Sequence, residues 1–189
     1  MPQTRPKPQL DVQGHWTVYE SPLGPLTLLA GPRGLTHLQF PGRLRLRDES
    51  AKRPLPEVTE QLDAYFAGEL RSFDLPLDLR GSTLQRAVWR LLQEIPYGET
   101  ISYGELASRV DPALFSGDVE PWQRARAVGS INGRNPVAIV VPCHRVIGAD
   151  GSLTGYGGGL QRKQALLDLE RRGAGGESQP PSTQQLAIL

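Results

Sequence analysis

The spacing of apolar residues changes at Ser82, and this change constrains the fold more than any other feature of the chain. The segment Ser82-Thr-Leu-Gln85 has the form of a helix capping box. Apolar residues then recur at helical spacing until Pro96, namely Leu84, Ala87, Val88, Leu91, Leu92 and Ile95. The pattern predicts an amphipathic helix that opens a mainly helical second half of the chain.

Short β-prone runs dominate the first half. Runs at 15–20, 26–30 and 35–40 are separated by two segments rich in glycine and proline, which predicts a three-stranded antiparallel meander. A helix follows, with Val58, Leu62, Tyr65 and Phe66 on one face and its end at Gly68. The pattern further predicts an arginine-rich linker or exposed loop at 42–56 and one extended segment at 73–79. The fold class is therefore predicted to be α+β.

Three more helices are predicted after residue 100. A second capping box, Ser102-Tyr-Gly-Glu105, opens a short helix, and a basic helix follows from Trp122 to about Gly133. Two successive helices with a basic second member are similar to a helix-turn-helix, whose turn has about three or four residues. The segment 111–121 is much longer, so this interpretation is weak on spacing alone. A last helix is predicted at 160–171, ending at Gly173.

The chain has a single cysteine, Cys143, directly before His144. The apolar run 137–141, between Pro136 and Pro142, predicts a strand buried on both faces that ends at this thiol. A thiol beside an imidazole suggests a nucleophile, whereas a small apolar core residue is the alternative. Side chains of sequence neighbours diverge, so a contact between the two requires a water or an unusual turn.

An acidic residue, Glu170, lies on the apolar face of the predicted last helix. It follows Leu166 and Leu167 by four and three residues, and buried acids are rarely left unpaired. One interpretation is a carboxylate that orients His144, which in turn acts on the thiol through a water. The alternatives are a structural ion pair or a helix-end residue near solvent.

Composition narrows the class of protein. With 189 residues, 38% hydrophobic and 22% charged, the chain is typical of a soluble globular protein with one domain or two small ones. No membrane-length apolar run and no signal-peptide pattern is present, and one cysteine favours a reducing compartment and excludes a cysteine-rich zinc site. We therefore expect a cytoplasmic protein, or a nuclear one in a eukaryote, without metal or cofactor. The stretch 121–149 holds four arginines and no acid, which favours a polyanionic partner; its arginines are Arg124, Arg126, Arg134 and Arg145.

Several motifs together resemble the O6-alkylguanine-DNA alkyltransferase family over roughly residues 58–170. They are Pro142-Cys-His-Arg145, Asn135-Pro136, Arg126-Ala-Val-Gly129, Ile95-Pro-Tyr-Gly98, Ile101-Ser-Tyr103 and Gly155-Tyr-Gly-Gly158. The resemblance implies a winged-helix-like C-terminal domain whose helix-turn-helix binds double-stranded DNA in the minor groove, independently of sequence. It also implies that a monomer flips O6-alkylguanine, with O4-alkylthymine as a further substrate, and transfers the alkyl group irreversibly to its own cysteine.

The resemblance assigns roles by position. Cys143 is the alkyl acceptor, His144 the water-mediated base and Glu170 its orienting carboxylate, while Asn135 is the hinge and Tyr103 the proton donor. The DNA-binding residues are Tyr103, Arg126 (the finger that fills the gap left by the flipped base), Ala127, Gly129, Ser130 and Arg134. The substrate pocket consists of Pro142, Val146, Tyr156, Gly157 and Gly158. From the residues alone, Tyr103 could equally be a core aromatic, Arg126 a surface charge and Asn135 a turn residue.

The predicted organisation is a mobile head at 1–13, an α+β domain at 14–80, the helix-turn-helix domain at 81–173 and a disordered tail at 174–189. The long segment 111–121 departs from the family pattern, and its acids Asp111, Asp118 and Glu120 are expected to loop away from DNA phosphates. A single cysteine also excludes the amino-terminal zinc site that some relatives carry. Two other functions stay open, namely a lesion-binding relative that transfers nothing and a cysteine hydrolase.

Overall fold

The computed structural model describes residues 14–42 and 49–175. The predicted mobile head, most of the predicted tail and the centre of the arginine-rich loop lie outside these ranges.

The amino-terminal meander is confirmed. Strands β1 (His15–Ser21), β2 (Gly24–Gly31) and β3 (Gly34–Gln39) pair antiparallel in chain order. The turn into β3 requires glycine, because Gly34 has a φ of 127° and a Cβ there would lie 2.1 Å from the carbonyl oxygen of Pro76. Leucines on one face of the sheet, Leu26, Leu28, Leu35 and Leu38, are buried in the core.

Helix α1 (Pro56–Phe66) covers this sheet, and its predicted apolar face is buried. The predicted extended segment at 73–79 is not a strand of the sheet. It pairs with β3 at one position only, where Leu35 N–H donates to the Pro76 carbonyl at 2.8 Å and the Leu35 carbonyl accepts from Asp78 N–H at 3.0 Å. Since Pro76 has no N–H, the pairing cannot extend through it.

The second half is helical, as predicted. Its elements are α2 (Thr83–Gln93), β4 (Ile101–Ser102), α3 (Tyr103–Arg109), α4 (Pro121–Asn132), β5 (Val146–Ile147) and α5 (Leu160–Ala174). Both capping boxes are present, at Ser82 with Gln85 and at Ser102 with Glu105. β4 pairs in parallel with β5. Helix α5 runs one residue past its predicted end at Gly173.

Helices α3 and α4 pack against each other, with Leu106 and Val128 fully buried. The connection between them contains a 3₁₀ turn at Pro112–Leu114 and the buried ring of Phe115. It is therefore a folded insertion within a helix-turn-helix arrangement.

The predicted buried strand at 137–141 is wrong. Only Val137 pairs with another strand, at Leu38, after which the chain turns and Ile139 adopts a left-handed φ of 70°. Cys143 begins a 3₁₀ turn, Cys143–Arg145. The Asn135 side chain imposes this path, because its Nδ2 donates to the Val141 carbonyl at 2.6 Å and its Oδ1 accepts from Val137 N–H at 3.0 Å.

One core joins the two halves and confirms the α+β class. Leu38 at the end of β3 accepts from Ala138 N–H at 2.8 Å and donates to the Pro136 carbonyl at 2.9 Å, so the sheet is tied to the thiol-bearing segment. The division into domains at 14–80 and 81–173 stays a prediction. Within residues 14–42 and 49–175, none of the helices combines the length and apolar content that a membrane span requires.

Candidate active site

The thiol of Cys143 lies at the floor of a narrow cleft. The residue is 5% exposed, its N–H donates to the Val141 carbonyl at 2.8 Å, and its carbonyl accepts from Asn132 Nδ2 at 3.2 Å. The other lining residues come from the end of β3, the end of α4 and the loop before α5; they are Gln39, Phe40, Gly133, Asn135, Ala138, Tyr156, Gly157 and Gly158. The cleft measures about 20 Å³, which is room for about one water.

His144 is buried next to the thiol and is held by Glu170. Its Nε2 lies 2.8 Å from Glu170 Oε1, and both side chains are 0% exposed. Burial lowers the pKa of His144 below its ordinary 6.5, although the Glu170 carboxylate partly opposes this shift. The imidazole is therefore neutral and donates from Nε2, which leaves Nδ1 as a proton acceptor. This Nδ1 makes no hydrogen bond to any residue in the described part of the chain.

Glu170 is the centre of a larger network than the sequence predicts. Besides His144, it accepts hydrogen bonds from Tyr65 Oη at 2.7 Å, Arg145 Nε at 2.8 Å, Arg145 Nη2 at 2.9 Å and Gly98 N–H at 3.2 Å. Burial would raise the pKa of Glu170, but His144 and Arg145 outweigh it and hold the pKa well below its ordinary 4.5. The carboxylate is thus ionised, and it serves both interpretations, orienting His144 and pairing with a buried cation.

That cation is Arg145, which the sequence predicts in a basic surface patch but which is buried in the structure. Its side chain is buried, donates from Nη1 to the Ile95 carbonyl at 2.6 Å and lies 5.8 Å from the centre of the Tyr97 ring. It is therefore part of the protein interior. Arg124 is also held within the protein, since its Nε donates a hydrogen bond to the Val119 carbonyl at 2.8 Å. Of the four arginines in the stretch, Arg126 and Arg134 remain exposed.

Two asparagines at the end of α4 hold the thiol-bearing segment. Asn135, predicted as the hinge, spans the turn through its bonds to Val137 and Val141. Asn132, which bonds the Cys143 carbonyl, was missed by the sequence interpretation. Its position four residues after Val128, on the buried face of the helix, was the available signal.

Tyr103 connects α3 to the loop over the cleft. Its hydroxyl donates to the Thr154 carbonyl at 3.1 Å and lies 3.4 Å from that of Gly155, and a Cβ at Gly129 of α4 would lie 3.5 Å from its ring. Burial raises the pKa of Tyr103, and the nearby Cys143 adds to the rise. The hydroxyl is therefore protonated at neutral pH.

Lys163, on α5, was also missed. It is fully buried and donates from Nζ to the Val146 carbonyl at 2.6 Å and to the Thr154 carbonyl at 2.8 Å. Burial lowers its pKa. The signal was the same as for Glu170, a charged residue three and four positions from Leu166 and Leu167 on the apolar face.

The loop at 155–158 closes the cleft against Phe40 from the end of β3. The rings of Tyr156 and Phe40 meet edge to face with centroids 6.4 Å apart. A Cβ at Gly158 would lie 2.6 Å from the Phe40 ring, so glycine is needed there. The sequence predicts Phe40 only as the last residue of a strand, and its contact with this loop was missed. Pro142 and Val146, predicted for the pocket, do not line this cleft; Pro142 lines a separate hollow of about 310 Å³ beside Arg145.

Apart from Tyr103 on α3, the predicted DNA-binding residues lie on α4 or just beyond its end. Arg126 and Ser130 are exposed one helical turn apart, and Arg134 is exposed just beyond the end of the helix. Ala127 and Gly129 are half-buried against the rest of the fold. The structure therefore presents an outward face on the helix that precedes the thiol-bearing segment.

Comparison with known proteins agrees with this arrangement. The family model described as "6-O-methylguanine DNA methyltransferase, DNA binding domain" matches residues 83–172, and "6-O-methylguanine DNA methyltransferase, ribonuclease-like domain" matches residues 15–79. A methylated-DNA–protein-cysteine methyltransferase of Mycolicibacterium paratuberculosis is 55% identical over 159 residues, covering 81% of this chain and 90% of the relative.

Solved structures are similar as well. Mycobacterium tuberculosis OGT in complex with DNA is 47% identical with a TM-score of 0.72, covering 92% of this chain and 99% of that one. The O6-methylguanine-DNA methyltransferase of Pyrococcus kodakaraensis, at 23% identity and a TM-score of 0.56, shares the fold. The chain belongs to the 6-O-methylguanine DNA methyltransferase family.

Proposed function

We propose that this protein repairs DNA by transferring the alkyl group of O6-alkylguanine from duplex DNA to its own Cys143. The observation that carries the proposal is the buried Cys143–His144–Glu170 arrangement, in a segment that matches the family's DNA-binding domain. The neutral state of His144 matters most, because only a neutral imidazole can accept the thiol proton.

The transfer balances with Cys143 in the cleft and with His144 and Tyr103 beside it. The Cys143 proton passes through a water to His144 Nδ1, and the sulfur bonds the alkyl carbon as the bond from that carbon to guanine O6 breaks. The electron pair of the broken bond stays on guanine, which takes a proton from the Tyr103 hydroxyl. The proton held by His144 then returns the Tyr103 oxygen to its protonated form. The thiol has then lost one hydrogen and guanine has gained one. The product is a thioether, which no base in the site can cleave, so each molecule reacts once without a cofactor.

The base must leave the helix for this reaction. A thiol that is 5% exposed cannot reach an exocyclic oxygen inside a stacked pair, so the guanine is flipped into the cleft. With room for about one water, the cleft must also open. We infer that the loop at 155–158 moves off Phe40 to admit the base and that Tyr156 then covers it.

The outward face of α4 supports the DNA contact. Arg126 is exposed and enters the duplex from the minor groove to fill the gap left by the flipped base, while Arg134 and Ser130 meet phosphates. Contacts to phosphate carry no sequence information, as repair at any site requires, and they make binding weaker at high salt. We propose that the protein acts as a monomer, and every group used in the transfer belongs to one chain.

The test is incubation with duplex DNA that carries one labelled O6-methylguanine. We expect label to accumulate on the protein up to one equivalent and to be absent with Cys143→Ala. Binding without transfer would instead indicate a lesion-recognition protein, and repeated turnover would indicate a hydrolase. The same incubation with a duplex that contains labelled O4-methylthymine tests whether this base is a further substrate.

Arg126 has a matched control. Arg126→Ala should slow the transfer from duplex DNA. It should leave the rate of transfer from free O6-benzylguanine unchanged, because that substrate needs no DNA contact and its rate measures whether the cleft is intact. Arg90→Ala removes the same charge from the exposed side of α2 and should leave both rates unchanged. Equal losses in the two variants would show that only total charge matters.

A further inference from the structure

Trp122, in the first turn of α4, is exposed in an unusual way. It is 63% exposed, whereas the other two tryptophans, Trp16 and Trp89, are 7% and 3% exposed. A single exposed apolar side chain is common on protein surfaces. The position is informative because Trp122, Arg126 and Ser130 follow one another at intervals of four residues, and all three are exposed. They share the outward face of the helix, opposite the buried Val128 and Ile131.

The long insertion before α4 fixes this first turn. Phe115 is buried, and the Arg124 guanidinium lies 5.6 Å from the centre of its ring while Nε bonds the Val119 carbonyl. Glu120 N–H donates to Gln123 Oε1 at 2.9 Å, and Pro121 occupies the first position of the helix. The insertion therefore anchors the start of α4 from behind and leaves the indole of Trp122 projecting from a rigid turn.

We propose that Trp122 is a DNA contact, whose ring packs against the nucleotides beside the flipped guanine. This inference rests on the proposed function, since it takes α4 as the DNA-facing helix. Trp122 lies four residues before Arg126, which is about 6 Å along the helix axis. Successive nucleotides of a strand are about 3.4 Å apart, so the ring reaches one or two steps from the gap that Arg126 fills.

Charge and chemistry favour DNA as the occupant of this face. The exposed cation Arg126 lies on this face, and a second exposed cation, Arg134, lies just beyond the end of the helix. An indole offers a flat apolar surface to unstacked bases and sugars without selecting a sequence, as repair requires. A partly unstacked duplex next to a flipped base exposes such surfaces.

The intrinsic fluorescence of the protein reports on this residue directly. Because Trp16 and Trp89 are buried, emission that acrylamide quenches in the free protein comes from Trp122. We expect saturating duplex DNA to shield this emission, and we expect Trp122→Phe to lose the DNA-dependent change. Emission equally quenched with and without DNA would overturn the proposal. The proposal would also be overturned if Trp122 became shielded from acrylamide without DNA as the protein concentration rises, because the ring would then pack against a second copy of the chain.

Transfer kinetics provide the second measurement. Trp122→Ala should lower the rate of transfer from duplex DNA by at least about fivefold, the lower bound for loss of one base–aromatic contact. Transfer from free O6-benzylguanine should stay within about twofold. Val18→Ala, which removes an exposed apolar side chain from β1, is the matched control and should change neither rate. Wild-type transfer from duplex DNA by Trp122→Ala would overturn the proposal.

Failure of the proposed function would look different. The unsubstituted protein would then transfer nothing from either substrate, while the fluorescence measurement would still decide whether Trp122 meets DNA.

Discussion

Replacement of Glu170 by glutamine removes one charge from the centre of the buried network. The carboxylate accepts hydrogen bonds from Tyr65, Gly98, His144 and Arg145, and its side chain is 0% exposed. An amide has one acceptor oxygen and two N–H donors, so at least one of these partners would face a donor. The Arg145 guanidinium would also lose its buried counter-charge.

The expected destabilisation follows from that unpaired cation. Removing one partner of a buried ion pair costs about 3–5 kcal/mol. For a domain of this size, each kcal/mol corresponds to about 2–4 °C in melting temperature, so Glu170→Gln should melt about 6–20 °C lower. The rate of alkyl transfer should fall as well, because the glutamine no longer stabilises the imidazolium that forms on His144.

Calorimetry or thermal unfolding followed by circular dichroism measures the shift. Asp168→Asn is a matched control on the same helix, since its ion pair with Arg171 has side chains 39% and 61% exposed. Exposed pairs contribute at most about 1 kcal/mol, so this variant should melt within a few degrees of the parent. If Glu170→Gln melts no lower than Asp168→Asn, the reasoning about the buried network is refuted.

Three further predictions concern the groups around the thiol. Because burial lowers the pKa of His144 below 6.5, the rate of transfer from free O6-benzylguanine should be level from about pH 8 to about pH 6.5 and should decline in more acidic buffer. The stability that neutral His144 contributes is likewise present above pH 6.5 and is lost as pH falls through the lowered pKa. A decline already centred above pH 6.5 would contradict this. Asn135→Ala leaves Val137 N–H unpaired and removes one of the two hydrogen bonds to the Val141 carbonyl, which keeps Cys143 N–H. It should lower the free energy of unfolding in urea by about 1.5–4.5 kcal/mol, whereas a loss under 1 kcal/mol would show that the turn holds itself. Lys163→Met removes the donor to the Val146 and Thr154 carbonyls and should speed amide exchange at 154–158, with Gln161→Met on the exposed side of α5 as control; unchanged exchange would mean that the lysine does not hold the loop.

Local chemistry explains what the sequence could predict. The starts of α2 and α3 depend on hydrogen bonds between residues three apart, so each capping box is readable as a short motif. The β-meander is similarly local, because its turns join neighbouring strands. In both cases the partners lie within a few residues of each other along the chain.

The errors arose where partners are distant. The run 137–141 is as apolar as a strand, and the Asn135 side chain that bends it lies outside the run. A count of charges placed Arg145 on a surface, since nothing nearby shows that its partner is Glu170, 25 residues later. Lys163 shows the same pattern as Glu170, a charged residue on the apolar face of α5, and its partners are backbone carbonyls outside the helix, at Val146 and Thr154.

The most direct test is to locate the alkyl group after reaction. The protein would be incubated with duplex DNA that contains one O6-methylguanine, digested, and its peptides measured by mass spectrometry. The account predicts a gain of one CH₂ on the peptide with Cys143, saturating at one per molecule, and no gain elsewhere. Methyl groups on another residue, or methyl loss from DNA without a modified Cys143, would contradict it.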